Sequence, residues 1–199
     1  TYLASGMVNE ARAEARRLIA AYLPLVRAGA KIVGLEPSCL LTLRDELTAM
    51  KLGAEADEVA AAAMMFEEFV VAHADRFEFA SLERNVLLHG HCHQKAHNVM
   101  GSVTDALKLV PGLVVETVES SCCGMAGAFG YQAETYAVSQ AMGELSLLPA
   151  VRAAESDTLI VADGTSCRHQ IADGAHRDAV HVARVLEMAI ADNTEGTGA

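Results

Sequence analysis

Positive charge is scarce in this 199-residue chain: 15 lysines and arginines stand against 26 acidic residues, for a formal net charge of -11. The pI is near 5.1. A chain so acidic has no general attraction for phosphate backbones or anionic lipid, which excludes nucleic acid as a first partner. Long apolar runs are missing too. The longest, Val59 to Phe66, falls far short of the roughly 20 residues a spanning helix needs. No export signal opens the chain. The reading is of a soluble, cytoplasmic protein with no transmembrane segment, peripheral to the inner membrane only through partners. Thr1 in place of an initiator, followed at once by a helical pattern, points to a piece of something larger. With 52% apolar and 21% charged residues the composition is that of a globular chain and excludes general disorder.

What the chain does have is cysteine. The five, at 39, 92, 122, 123 and 167, are odd in number and include a vicinal pair. Without an export signal a secreted disulfide framework is not expected. Metal binding, thiol redox chemistry and burial as small hydrophobes are left.

Their places along the chain separate these readings. Apolar residues at Val8, Ala11, Ala15, Leu18, Ile19, Leu23 and Val26 predict a helix over 8–28, with Pro24 a kink candidate and Gly29 a stop. Lys31 to Gly34 then reads as strand, Glu36 to Cys39 as turn, and Leu40 to Leu52 as helix. A second long helix is predicted over 55–73. The unit recurs with strands at 85–89, 113–118 and 158–162, each followed by a cysteine-bearing turn. Helices are predicted at 93–109, 131–144, 166–174 and 179–191. Strands alternating with helices in this way predict an α/β fold of βαβ units, a largely parallel sheet with helices on both faces. Every cysteine-bearing turn lies just past a strand, at the carboxyl edge where open α/β sheets bind ligands.

A faint repeat is present. Ile32-Val33-Gly34-Leu35-Glu36-Pro37-Ser38-Cys39 resembles Leu159-Ile160-Val161-Ala162-Asp163-Gly164-Thr165-Ser166-Cys167 in its strand, acid and Ser-Cys turn. On that pattern residues 1–80 are the back half of one repeat, 81–192 a complete second repeat, and 193–199 a polar, disordered tail.

Cys92, Cys122, Cys123 and Cys167 form one candidate set, since four thiolates suit a soft metal such as zinc or an iron–sulfur cluster. Cys92 and Cys122 are 30 residues apart, Cys123 and Cys167 are 44 apart, and no C-x-x-C occurs, so the fold must assemble the site. Any single cysteine could equally be a small buried turn residue; packing does not ask for two adjacent thiols. Gly124, Gly127 and Gly130 spell neither a dinucleotide fingerprint nor a P-loop, and Gly124 fits better as a place where backbone approaches a bulky inorganic group. His93 and His97 share the spacing of a zinc-protease helix, but Gln94 stands where that motif needs its glutamate base. His91, His93 and His169 remain as additional ligands or as donors to sulfur, or as ordinary capping histidines. Cys39, without a thiol near it in sequence, is read as a buried structural cysteine or an additional ligand.

Gly34 to Cys39, His91-Cys92-His93-Gln94-Lys95, Ser121-Cys122-Cys123-Gly124-Met125-Ala126-Gly127 and Ser166-Cys167-Arg168-His169-Gln170 together resemble the cysteine-rich CCG domain. That family is found in glycolate oxidase iron–sulfur subunits, heterodisulfide reductase B subunits and the C-terminal part of FAD-linked oxidases with iron–sulfur centres. The resemblance runs from about residue 8 to 190. It implies Cys92, Cys122, Cys123 and Cys167 as ligands of a cluster of 4Fe-4S type, with zinc as the alternative. It also implies FAD on a domain absent from this chain, a flavin-binding domain or subunit and a downstream electron acceptor as partners, and a small 2-hydroxy acid such as D-lactate or glycolate as substrate. On this reading the fragment transfers electrons, carries no catalytic acid or base, and is inactive alone. A structural zinc module and a metal-free thiol-redox domain are the rival readings.

Overall fold

A computed structural model of the chain describes residues 2–120 and 122–190; the tail expected at 193–199 lies outside them. The chain divides into two compact units, Thr1–Phe66 and Glu67–Ala199.

The first unit opens with helix α1 (Val8–Arg27), which buries Ala11, Ala15, Ile19 and Leu23 at four-residue intervals, the spacing that lines up one helical face. Pro24 sits in its last turn, and the chain turns away through Gly29 in a left-handed conformation. Strand β1 (Ile32–Gly34) leads into α2 (Pro37–Arg44), α3 (Glu46–Ala49) and α4 (Ala54–Ala62). Pro37 is the first residue of α2, where its missing N–H costs nothing. Asp45 interrupts the single helix expected over 40–52. The long helix expected at 55–73 is also broken. After α4 the chain extends as β2 (Ala63–Met65) and only then forms α5 (Phe66–Ala72). An Ala-Met-Met run favours helix locally, but β1 needs a partner for its backbone groups. β2 supplies one in parallel register, pairing Ile32 with Ala63 and Gly34 with Met65.

The second unit is built on β3 (Arg84–His89), whose last four residues are buried, the continuous apolar run of a central parallel strand. β4 (Leu113–Thr117) pairs on one side, β5 (Leu159–Ala162) on the other, and β6 (Ala179–Val180) beyond β5, giving the order β4-β3-β5-β6 with every pair parallel. The connecting helices are α6 (Cys92–Ala96), α7 (Met100–Lys108), α8 (Ala133–Gly143), α9 (Leu147–Ala153), α10 (Thr165–Ala175) and α11 (Val182–Met188). Positive φ at Asn98 splits the helix expected over 93–109, and the helix expected from 179 begins as strand β6. The chain is thus α/β with parallel sheets, but the single sheet expected to carry every cysteine turn is two: β1 belongs with β2, apart from the four-stranded sheet.

One core cluster of the second unit gathers Leu87, Leu147, Leu148, Val151, Ile160 and Ile171 around Cys123 and Cys167. Leu148 is fully buried; on Gly143 and Gly174 an added Cβ would meet its methyl groups at 3.0 and 2.5 Å. Leu148→Ala should therefore destabilise the protein by about 2–5 kcal/mol, read as a lowered midpoint in urea unfolding. Among the described residues no helix is long and apolar enough to cross a membrane.

Candidate metal site

Because β4, β3 and β5 are adjacent and parallel, the turns that follow them open on one edge of the sheet. Cys92 begins α6, Cys122 and Cys123 lie in the turn after β4, and Cys167 sits in the first turn of α10. The structure brings these four together. Their sulfurs form a hydrogen-bonded chain running Cys92 to Cys122, Cys122 to Cys123 and Cys123 to Cys167, which His89 then meets.

That chain polarises itself. Cys122 accepts hydrogen bonds from Cys123 and Cys92, which hold its thiol far below the ordinary range, and the Gly124 amide adds a third donor at 3.3 Å. Cys167 accepts from Cys123 and His89 and is lowered to about 5. Cys123 and Cys92 are pushed up, first by donating to these thiolates and then by burial. Protons leave when a metal takes the sulfurs, since the thiolate is the ligand. The donor set is soft, and Cys122 and Cys167 are shifted toward the thiolate, which fits a thiolate-bound metal.

The surroundings supply positive charge and N–H donors. His91 accepts the His93 amide on Nδ1 at 3.2 Å in a capping box that starts α6, so its ring proton is on Nε2. His91 Nε2 and Cys167 Sγ converge over Gly164, where an added Cβ would lie 3.1 Å from each. The His91 ring also helps lower the Cys167 thiol electrostatically. His89 is held through Nδ1 at 2.9 Å from the Ser120 hydroxyl. Lys95 donates to the Ser120 carbonyl; burial lowers its ammonium, and the four cysteines counter that by attraction. His93 stacks on His91 at 5.2 Å and keeps a buried Nδ1 with no hydrogen-bond partner; with His91 and Cys92 it forms a group whose ligand atoms lie within 4.8 Å of one another.

Two expected positions lie elsewhere. His169 pairs with the Tyr131 hydroxyl at 2.6 Å on an exposed surface. Cys39, expected to be buried, is exposed in α2 of the first unit, because α2 turns Leu40, Leu41 and Leu43 inward instead. His89, Lys95 and Ser120 stand outside the candidate set that the sequence supplies. His89 ends an apolar strand and Lys95 follows a histidine cluster, and neither position reveals that its side chain turns toward sulfur.

Packing also calls for glycine at 124. Its φ is +98° and an added Cβ would overlap the Ser139 carbonyl oxygen, so close packing against α8 demands glycine there, and its amide is then free to reach Cys122.

A second buried cluster joins Glu67, Asp163 and His181. His181 accepts the Ala183 amide on Nδ1 at 3.0 Å, which leaves the proton on Nε2, facing Asp163 Oδ1 at 3.4 Å and Glu67 Oε1 at 3.9 Å. Both Glu67 oxygens are buried without a hydrogen-bond partner. Burial, and then the Asp163 charge, push this carboxyl up to about 9. A carboxyl raised on folding binds its proton more tightly in the native state. Its contribution is therefore full below the unfolded value near 4.5 and is lost as pH rises toward about 9. Glu67→Gln should flatten the fall in stability across that window, measured as melting temperature against pH; an unchanged slope would show that Glu67 is not responsible.

Known proteins similar to this chain are dehydrogenases or parts of them. Over 110 residues it is 31% identical to a subunit of the anaerobic glycerol-3-phosphate dehydrogenase of Escherichia coli (strain K12), a stretch covering 55% of this chain and 27% of that protein. The same figures hold for its counterpart in Escherichia coli O157:H7. Over 150 residues it is 27% identical to D-2-hydroxyglutarate dehydrogenase of Escherichia coli (strain K12), covering 74% of this chain and 14% of that protein. No family model and no solved structure matches the chain. The aligned stretches cover 27% and 14% of these curated relatives, and the chain is similar to one part of larger dehydrogenases.

Proposed function

We propose that this chain is the electron-transfer part of a flavin-linked dehydrogenase, with Cys92, Cys122, Cys123 and Cys167 holding an iron–sulfur cluster. The observation that carries the reading is the meeting of four cysteines, from three separate turns, in one interacting chain at the carboxyl edge of the sheet. Such a cluster, when bound, accepts and passes on single electrons. The chain's own residues do the rest: the sulfurs ligate, Gly124 and His89 direct N–H groups at them, and Lys95 offsets their negative charge. The partner is a flavin-binding domain or subunit that carries the hydride chemistry, and a further acceptor takes the electrons away. The substrate class is a small 2-hydroxy acid, in keeping with the hydroxy-acid dehydrogenase among its relatives.

A specific observation favours a second reading, a single zinc ion. The ligand atoms of His89, Cys123 and Cys167 all lie within 4.8 Å of one another, a histidine and two thiolates of the kind zinc takes. Anaerobic purification followed by iron, sulfide and zinc analysis with visible spectroscopy decides. Broad visible absorbance that bleaches on reduction is the expected result. Colourless protein with one zinc per chain overturns the cluster, and metal-free protein that cycles thiols overturns both. The isolated chain should not turn over D-lactate or glycolate; measurable turnover would refute the assignment of substrate chemistry to a partner.

A further inference from the structure

We infer that Gln94 and Asp163 are positioning residues for the sulfur site, setting where Cys92 stands relative to Cys167; this rests on the metal-binding reading above. β3 and β5 are paired as far as His89 and Ala162. Both ligand-bearing turns begin past that point, where the sheet no longer holds them in register. One side-chain bridge spans them. Gln94, fully buried, accepts the His91 amide on Oε1 at 3.1 Å and donates through Nε2 to Asp163 Oδ2 at 2.7 Å. The first bond fixes the start of α6, where Cys92 is the first residue.

Asp163 is equally committed on its own side. It is buried, its Oδ1 accepts the Val182 amide at 3.1 Å and faces His181 Nε2 at 3.4 Å, and its carbonyl accepts from Arg168 at 2.6 Å. Arg168 adjoins Cys167, so the loop between Asp163 and Cys167 is closed on itself. The residue types follow from the chemistry. The bridge needs a donor and an acceptor on one uncharged side chain, which glutamine supplies. A glutamate there would set two carboxylates 2.7 Å apart. Asp163 receives three donors and suits a carboxylate.

The test uses the whole chain, prepared metal-free under anaerobic conditions and titrated with Co2+ alone against a competing chelator. Thiolate-to-cobalt absorption reports the ligand set, and melting of the metal-free forms reports folding. Gln94→Leu deletes both bonds at similar volume, and Asp163→Asn serves as the second variant. Either should weaken Co2+ binding about 10- to 100-fold and alter the thiolate absorption. Val103→Ala, a buried truncation in α7 away from the cysteine turns, should lower the melting temperature while leaving affinity within about threefold. Wild-type affinity and spectrum in a folded Gln94→Leu or Asp163→Asn protein would overturn the inference, as would an equal loss in Val103→Ala. Wild-type protein that takes up no Co2+ with thiolate absorption would instead overturn the metal-binding reading, and the inference with it.

Discussion

Replacing either Cys122 or Cys123 by serine is expected to abolish metal loading, from about one site per chain to nearly none, whereas Cys39→Ser retains most of it. Cys123 is the middle of the hydrogen-bonded chain and touches both Cys122 and Cys167. Cys122 is the sulfur on which Cys123, Cys92 and the Gly124 amide converge. A serine hydroxyl remains protonated at neutral pH and is too hard a donor for a soft ion, so its loss is not made good by the other three sulfurs. Cys39 is exposed in α2 of the first unit, whereas Cys122 and Cys123 lie in the turn after β4 of the second. Metal analysis of the three variants, purified side by side under anaerobic conditions, gives the comparison. Equal loss of metal in Cys39→Ser would defeat the assignment of ligands.

A methyl group at Gly124 should be nearly as damaging, although it touches no sulfur. Gly124→Ala is expected to cost about 2–5 kcal/mol, the sum of a left-handed backbone strain and an overlap that only backbone movement relieves. The overlap is with the Ser139 carbonyl of α8, which also accepts a hydrogen bond from buried Gln170 at 3.0 Å. The cheap response is for the 122–124 turn to shift, and that moves Cys122, Cys123 and the amide donor together. Metal loading should fall along with stability. Gly127 provides the comparison: its φ is +68°, yet nothing lies within 4 Å of an added Cβ, so Gly127→Ala should show the strain alone, about 1–2 kcal/mol. Urea unfolding of the two variants separates them, and equal losses would mean that crowding at Ser139 plays no part.

Both expectations turn on residues whose place in the site has different origins. That the turns bearing Cys92, Cys122, Cys123 and Cys167 open on one sheet edge was legible from the chain alone, because each follows an apolar strand and parallel βαβ connections leave strand ends at a common edge. The continuous burial of Val86 to His89 and the four-residue stripe of α1 are likewise written in local periodicity. The same local signals misread Ala63–Met65, where helix-favouring side chains extend because a strand far back in sequence requires a backbone partner. They also misread Cys39, whose Ser-Cys turn looks like that of Cys167 but stands beside a separate two-stranded sheet. His89, Lys95, Gln94 and Asp163 owe their roles to contacts across 25 to 78 residues. The sequence by itself determined the α/β alternation and the cysteine-bearing turns, since these depend on spacing along one element. Only the tertiary structure decided which neutral and charged side chains face the sulfurs, because hydrogen-bond direction and burial depend on neighbours brought together by the sheet.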